Sequence, residues 1–342
     1  MAAGGGTGPP QRGGYAMRVA LVGVGHWHTP LYLDPALGLA GVEIVGVSDP
    51  ALAVAEAVAT RAGCASFVDY RVLCDRLRPD FVFVLGRHCD MADTARWLIE
   101  RQIKFAIEKP CGVSAAEVDD LAGRAHRAGA FAAVPFVFRQ SRWLETIQAR
   151  AAGEAVQHLA FKFVAGSTAR YRAAGCDWML ARATAGGGCL LNLGVHFVDL
   201  ARLLLGPASP DVVGAMMSNA IDGFDVEDQA VVLLRAGAAT CLIETGYSFP
   251  APHMSFDLHF SVRTDRHYFV AREADALEIF DLAQQRDVEP MPITNVPYYP
   301  PFVHDVLARA ADGRPPLADL DDMAATLRLV EAAYALAPLP GL

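Results

Sequence analysis

The stretch Lys104-Phe105-Ala106-Ile107-Glu108-Lys109-Pro110 holds the first residue whose type points to chemistry. The chain has 29 Lys plus Arg in 342 residues, yet only three are lysine: Lys104, Lys109 and Lys162. Elsewhere the cation is arginine, whose guanidinium stays charged; an ammonium can shift its pKa and release a proton. A lysine kept against that habit points to proton chemistry. Lys109 follows the apolar run Ile103–Ile107, which reads as a buried parallel strand, and Pro110 turns the chain out of it. Ligands of open α/β sheets sit outside the carboxyl ends of the strands. The plainer reading is a strand-end lysine paired with Glu108.

A second constellation lies in Ala185–Asp199, read as AGGGCLLNLGVHFVD. Three glycines open a helix in this reading. Asn192 and His196 are four apart, which places them on one helical face. Asp199 is three further on, where it would orient the imidazole. Histidine is a tunable base near pH 7. The Asn192 amide hydrogen-bonds a hydroxyl but is no base.

The elements that must position these groups begin at Met17. MRVALVGV reads as a first strand, followed by the turn Gly23-Val24-Gly25-His26-Trp27-His28. Two glycines permit a tight turn and close backbone approach to a pyrophosphate; His28 stands where a third glycine would bring helix and strand together. Val42–Val47 is a second strand ending at Ser48-Asp49. Asp49 lies 24 residues after Gly25, near the spacing of about 20 expected for a carboxylate on an adenosine ribose. That favours NAD over NADP; the alternative is a helix cap before Pro50. Ala51–Ala62 (helix), Asp80–Leu85 (strand), Ala92–Gln102 (helix), Ser114–Ala128 (helix) and Phe131–Val137 (strand) complete an alternation that predicts a doubly wound parallel sheet. Arg87 and His88 follow the strand at Asp80–Leu85, on the edge that carries Lys109, and are candidates to touch nicotinamide or substrate. His26 and His28, two apart on a turn with no third ligand nearby, match no metal pattern.

Beyond Arg139 the pattern changes. Trp143–Arg150 reads as a helix, and Gln157–Ala165, Ala230–Leu234, Thr240–Thr245 and Asp257–Val262 alternate like strands of an antiparallel sheet. Pro290–Pro301 reads as a loop, and Phe302–Ala311 and Asp319–Ala337 as helices packing back on the first half. Domain boundaries are expected at a flexible tail 1–15, a dinucleotide-binding unit 16–137 and a substrate unit 138–338. Hydrophobic residues at 53% support a large core, and a net charge of −9 argues against nucleic acid. Seven scattered cysteines fit reduced thiols and a cytoplasmic setting. The first 14 residues lack a signal peptide's apolar core, Met17 is an alternative start, and no run reads as a membrane span. Apolar alternation in Val231–Tyr247 suggests sheets paired between subunits, as a homodimer or homotetramer.

Together Gly23 and Gly25, Glu108-Lys109-Pro110 and the Gly186–Asp199 segment resemble the Gfo/Idh/MocA family of oxidoreductases. The resemblance spans about residues 16–338 and includes Phe136–Arg139 and Val226–Asp228. It implies a Rossmann-type parallel sheet plus a C-terminal α+β domain with a large open, mostly antiparallel sheet. It implies a sugar or cyclitol substrate, with hydride passing between its carbinol carbon and nicotinamide. Gly23, Gly25, His26, Trp27, His28, Asp49, Arg87, His88, Glu108 and Lys109 would face the cofactor. Lys109, Arg139, Asn192 and His196 would face the substrate. Lys109 would polarise the reacting oxygen and His196 would exchange the proton, helped by Asn192. Asn192 departs from the family aspartate, so two alternatives stand beside net redox: non-redox sugar chemistry with internal cofactor recycling, and cofactor binding without catalysis.

Overall fold

The computed structural model describes residues 16–206, 209–250, 256–273 and 275–339, so the tail read at 1–15 lies outside the described residues. In chain order the first half contains β1 (Met17–Val22), α1 (Thr29–Leu37), β2 (Val42–Ser48), α2 (Leu52–Ala62), β3 (Ala65–Phe67), α3 (Tyr70–Leu77), β4 (Phe81–Val84), α4 (His88–Glu100), β5 (Lys104–Ile107), α5 (Ala115–Ala128) and β6 (Ala132–Ala133). The second half contains α6 (Arg142–Arg150), β7 (Val156–Val164), α7 (Ala169–Ala173), α8 (Arg182–Ala185), α9 (Val195–Leu204), β8 (Asp211–Ser218), β9 (Gln229–Ala236), β10 (Ala239–Gly246), β11 (Asp257–Thr264), β12 (His267–Glu273), β13 (Ala276–Asp281), β14 (Arg286–Pro290), α10 (Tyr299–Asp312) and α11 (Leu320–Leu336).

Six parallel strands form the first sheet in the order β3-β2-β1-β4-β5-β6. Helices cover both faces, so β4 is buried at every residue, which is why it reads as an unbroken apolar run. The order reverses beside β1, and the carboxyl ends of β1, β4 and β5 deliver Gly23, Gly86 and Lys109 to one edge. The second sheet has eight strands, β14-β13-β12-β11-β7-β10-β9-β8, antiparallel except where β7 runs beside β10. Along β7, Leu159, Phe161 and Phe163 are buried and the intervening residues are less so. The buried face packs on α9, with Phe197 stacked on Phe161 at 4.8 Å between ring centroids. The other face exposes Met216, Leu233 and Val213 on β8 and β9.

The last two helices return to the first sheet. Lys104 Nζ donates to the Ala310 carbonyl of α10, and Glu331 of α11 accepts from the Ala115 N–H at 2.7 Å, capping α5. An Asp319–Asp322 capping box starts α11.

Several local expectations are corrected. Phe131–Val137 pairs only at Ala132–Ala133, because Pro135 has no N–H to continue the ladder, and Val137–Gln140 is a 3₁₀ turn. Pro300 and Pro301 do not prolong a loop; they sit in the first turn of α10, where a missing N–H costs nothing. Helix α4 starts at His88 rather than Ala92. The stretch Arg182–Leu204 is long and apolar enough to cross a membrane by composition, but 83% of its most apolar window is buried in the fold, which makes it a core segment.

Arg139 ties three elements together. Its Nε and Nη2 donate to Asp199 of α9 at 2.9 and 2.5 Å, and its Nη1 donates to Asp322 of α11 and the Leu317 carbonyl at 2.9 and 2.7 Å. Asp199 is 1% exposed, so it depends on this partner for its charge. Arg139→Ala is expected to cost about 3 kcal/mol of stability by leaving that buried carboxylate only the more distant Arg202, at 3.7 Å. Urea unfolding measures it, and a loss under about 1 kcal/mol would place the pair among ordinary surface contacts.

Candidate active site

Strand β1 ends in a turn where Gly23 admits no side chain and Gly25 lies close against a carboxylate. Gly23 has φ +72°, and a Cβ there would stand 2.6 Å from the Leu85 carbonyl oxygen. A Cβ on Gly25 would come 2.9 Å from the Asp49 carboxylate, which accepts the Gly25 N–H at 2.7 Å. Asp49 also accepts from the Ala51 N–H at 3.0 Å, so the carboxylate at the end of β2 is fixed against the turn.

Past the turn the side chains run inward. Trp27 and His28 line a small cavity together with Lys109, Asn192 and His196. His28 Nδ1 lies 3.1 Å from Glu108 Oε2, and the Tyr32 hydroxyl donates to the same oxygen. Glu108 therefore serves His28 and Tyr32 rather than pairing directly with Lys109. Burial opposes its charge, yet the His28 ring and the Lys109 ammonium hold it well below the usual carboxylate range. His26 sits behind, its Nδ1 accepting the His28 N–H at 3.0 Å, and burial lowers both imidazoles so that they stay neutral.

Lys109 is fully buried, following a strand and preceding a cis proline. Its Nζ donates to the Asn192 carbonyl at 2.7 Å and to Asn192 Oδ1 at 2.6 Å. Burial lowers the ammonium to about 8; Glu108 resists this and the Arg170 charge adds to it. Asn192 belongs to a π-helical turn, Leu190–Gly194, that precedes α9. The expectation of a helix opened directly by three glycines is thus corrected: Gly186–Gly188 form a bend, and the π turn, a frequent device at functional sites, presents Asn192.

Two groups the sequence reading did not weigh fix that bend. The Glu227 carboxylate accepts the N–H groups of Gly188 and Leu190, both at 2.9 Å, and the Tyr334 hydroxyl of α11 donates to it at 2.9 Å. A Cβ on Gly188 would meet the Glu227 carbonyl at 1.9 Å, and one on Gly187 the Tyr334 hydroxyl at 2.0 Å. The glycine run exists so that these partners can close on it.

His196 faces the cavity with its ring edge-on to Phe138 and Phe136, and its buried Nδ1 has no partner. Burial first, then the Lys109 charge, push it down to about 3. Asp199 does not orient it; that carboxylate is committed to Arg139 and Arg202. For the same reason Arg139 is no substrate ligand: its guanidinium is consumed by Asp199 and Asp322, outside the cavity. Arg87 is half exposed and pairs with Asp90 at 2.7 Å on the surface. His88 is buried, its Nδ1 bonds to the Ala185 carbonyl at 2.7 Å and the ring packs on Trp178, which ties α4 to the glycine bend.

Tyr171 and Tyr247 also went unread. Asn192 Nδ2 donates to their hydroxyls at 2.6 and 3.1 Å, which fixes the amide so that its oxygen faces Lys109. Tyr247 directly follows β10 and read as sheet alternation, while Tyr171 sits in the five-residue α7, too short to show a period.

The family model for oxidoreductases with an NAD-binding Rossmann fold matches residues 17–136, and that for the GFO/IDH/MocA C-terminal domain matches residues 146–268. The chain belongs to the GFO/IDH/MocA family. A putative UDP-kanosamine synthase oxidoreductase subunit of Amycolatopsis mediterranei (strain S699) is 29% identical over 196 residues, 57% of this chain and 53% of that protein, so the match spans about half the relative's length. Among solved structures, GenD2 from gentamicin A biosynthesis, in complex with NAD, superposes with a TM-score of 0.80 at 24% identity, covering 96% of this chain and 97% of that one. Levoglucosan dehydrogenase, in complex with NADH and levoglucosan, gives 0.81 at 19% identity, covering 93% and 97%. KijD10, a 3-ketoreductase from Actinomadura kijaniata, gives 0.77 at 17%, covering 94% and 98%. These likenesses show the shared fold.

The residues present fit the family's NAD: a glycine turn with no room for side chains, and a carboxylate beside it with lone pairs for a ribose. Asp49 would repel a 2′-phosphate. NADH is expected to bind more tightly than NADPH, and Asp49→Ser to weaken NADH on the order of tenfold while narrowing the gap. Fluorescence titration decides it, and tighter NADPH binding by the parent protein would overturn the role of Asp49.

Proposed function

We propose that this protein is an NAD-dependent oxidoreductase acting at a carbinol or keto carbon of a sugar, cyclitol or related polyol. The observation that carries the reading is a buried lysine, lowered to about 8, facing a cavity beside a neutral histidine. The neighbours named as levoglucosan dehydrogenase and as a 3-ketoreductase support the substrate class. Bound NAD supplies the hydride acceptor or donor.

The chain's own residues handle the proton. A substrate hydroxyl in reach of Lys109 Nζ gives its proton to the neutral amine as the carbinol carbon gives up hydride; in reduction the ammonium returns it to the carbonyl oxygen. This exchanges the roles implied by the resemblance. An imidazole lowered to about 3 is a poor resting place for a proton at neutral pH, whereas Lys109 titrates near the working range. His196 then orients the hydroxyl by hydrogen bonding. Asn192, through its carbonyl and Oδ1, holds the lysine, so its amide is a positioning group and not a missing base. That argues against a site that has lost catalysis.

The sign follows from the direction of the shift. Neutral amine accumulates as pH rises through about 8, so kcat/KM for oxidation rises there and reduction falls. With a polyol that yields NADH, Lys109→Arg is expected to lose about 10²–10⁴ in rate. His196→Asn is expected to lose less and keep the inflection. Disappearance of the inflection in His196→Asn would return the proton to histidine.

A further inference from the structure

One cation in the cavity has no counter-charge. Arg170, in α7, lines the cavity that holds Lys109 and His196. Its guanidinium lies over three aromatic rings, 4.7 Å from the Tyr171 centroid, 5.2 Å from Tyr247 and 5.8 Å from Trp27. Nη2 donates to the Tyr171 hydroxyl at 2.7 Å, and Nε is buried without a partner. Among the described residues no carboxylate pairs with it, and residues 251–255, Ala-Pro-His-Met-Ser, contain no acid. Arg139, by contrast, is matched by two aspartates.

The rest of the cavity does not balance this charge. Lys109 adds a second cation, Glu108 is turned to His28 and Tyr32, and residue 192 is a neutral amide. Keeping a largely buried cation unpaired is costly unless something else pairs it. Trp27 Nε1, a donor only, also lines the cavity and is buried with no partner. Two residues lining one cavity, each with an unspent donor, ask for a group that only accepts.

We infer that Arg170 and Trp27 receive an anionic group, a carboxylate or a phosphoryl group, carried by the sugar whose carbinol reaches Lys109. The inference rests on the oxidoreductase reading of this cavity and names its substrate class. The two ends are linked: Lys109 Nζ bonds Asn192 Oδ1 at 2.6 Å, Asn192 Nδ2 bonds the Tyr171 hydroxyl at 2.6 Å, and that hydroxyl bonds Arg170 at 2.7 Å. A ligand anchored at Arg170 is thereby held in register with the reacting oxygen. An aspartate at 192 would set a negative charge between the two ends and repel such a ligand.

The test is calorimetric titration of the NAD-saturated enzyme with glucose, galactose and mannose, each as the neutral sugar, the uronate and the 1-phosphate. In at least one family an anionic form is expected to bind 10- to 100-fold tighter than its neutral parent. Arg170→Gln erases that preference and Arg170→Lys keeps part of it, with NADH binding as the check on folding. The uronate and phosphate arms identify which anion is read. Equal binding of neutral and charged forms, absence of binding by every anionic form, or a preference that survives Arg170→Gln overturns the inference. Turnover of neutral sugars with no such preference would sink this inference alone; no NADH from any sugar, charged or neutral, would sink the oxidoreductase reading.

Discussion

The contact between the Lys109 ammonium and Asn192 is the constraint on which the structure turns. A buried cation with too few partners is expensive, and this one is satisfied by a carbonyl and an amide oxygen rather than by a carboxylate. A carboxylate would have held the lysine charged; neutral acceptors let burial lower it. The replacement of the family aspartate by Asn192 thus changes how the lysine behaves without dismantling the site.

Everything around that contact works to hold it. Strand β5 carries Lys109 to the edge of the first sheet, and the π turn carries Asn192 from the second half of the chain. Tyr171 and Tyr247 fix the amide from one side. Glu227 and Tyr334 fix the start of the turn, and Tyr334 comes from the last helix, which also caps α5 through Glu331. Closing α11 over the glycine bend therefore links the end of the chain to the geometry of its centre. The Arg139–Asp199–Asp322 network lies just outside and joins α9 to α11.

Much of this was legible because it is local. Strand β4 and the GxG turn are written in consecutive residues, and the rarity of lysine marks Lys109. The parallel sheet, the large antiparallel sheet and the family follow from such signals. What the sequence hid depends on distant partners. Asp199 stands three residues from His196, yet its charge is taken by Arg139, 60 residues away. Arg170 and Tyr171 occupy a helix too short to leave a period, and Glu227, noted only within the Val226–Asp228 resemblance, shows its role once Gly188 is seen against it. The π turn shifts the helix register by one residue, which no 3.6-residue pattern reveals.

The measurement that bears most directly on this account is the titration of Lys109 itself. With three lysines in the chain, selective isotope labelling of the lysine side chains gives an NMR spectrum in which each can be followed. One lysine is expected to titrate near pH 8, and that signal to be missing from Lys109→Arg. No lysine titrating below about 10, the ordinary range of an exposed ammonium, would contradict it.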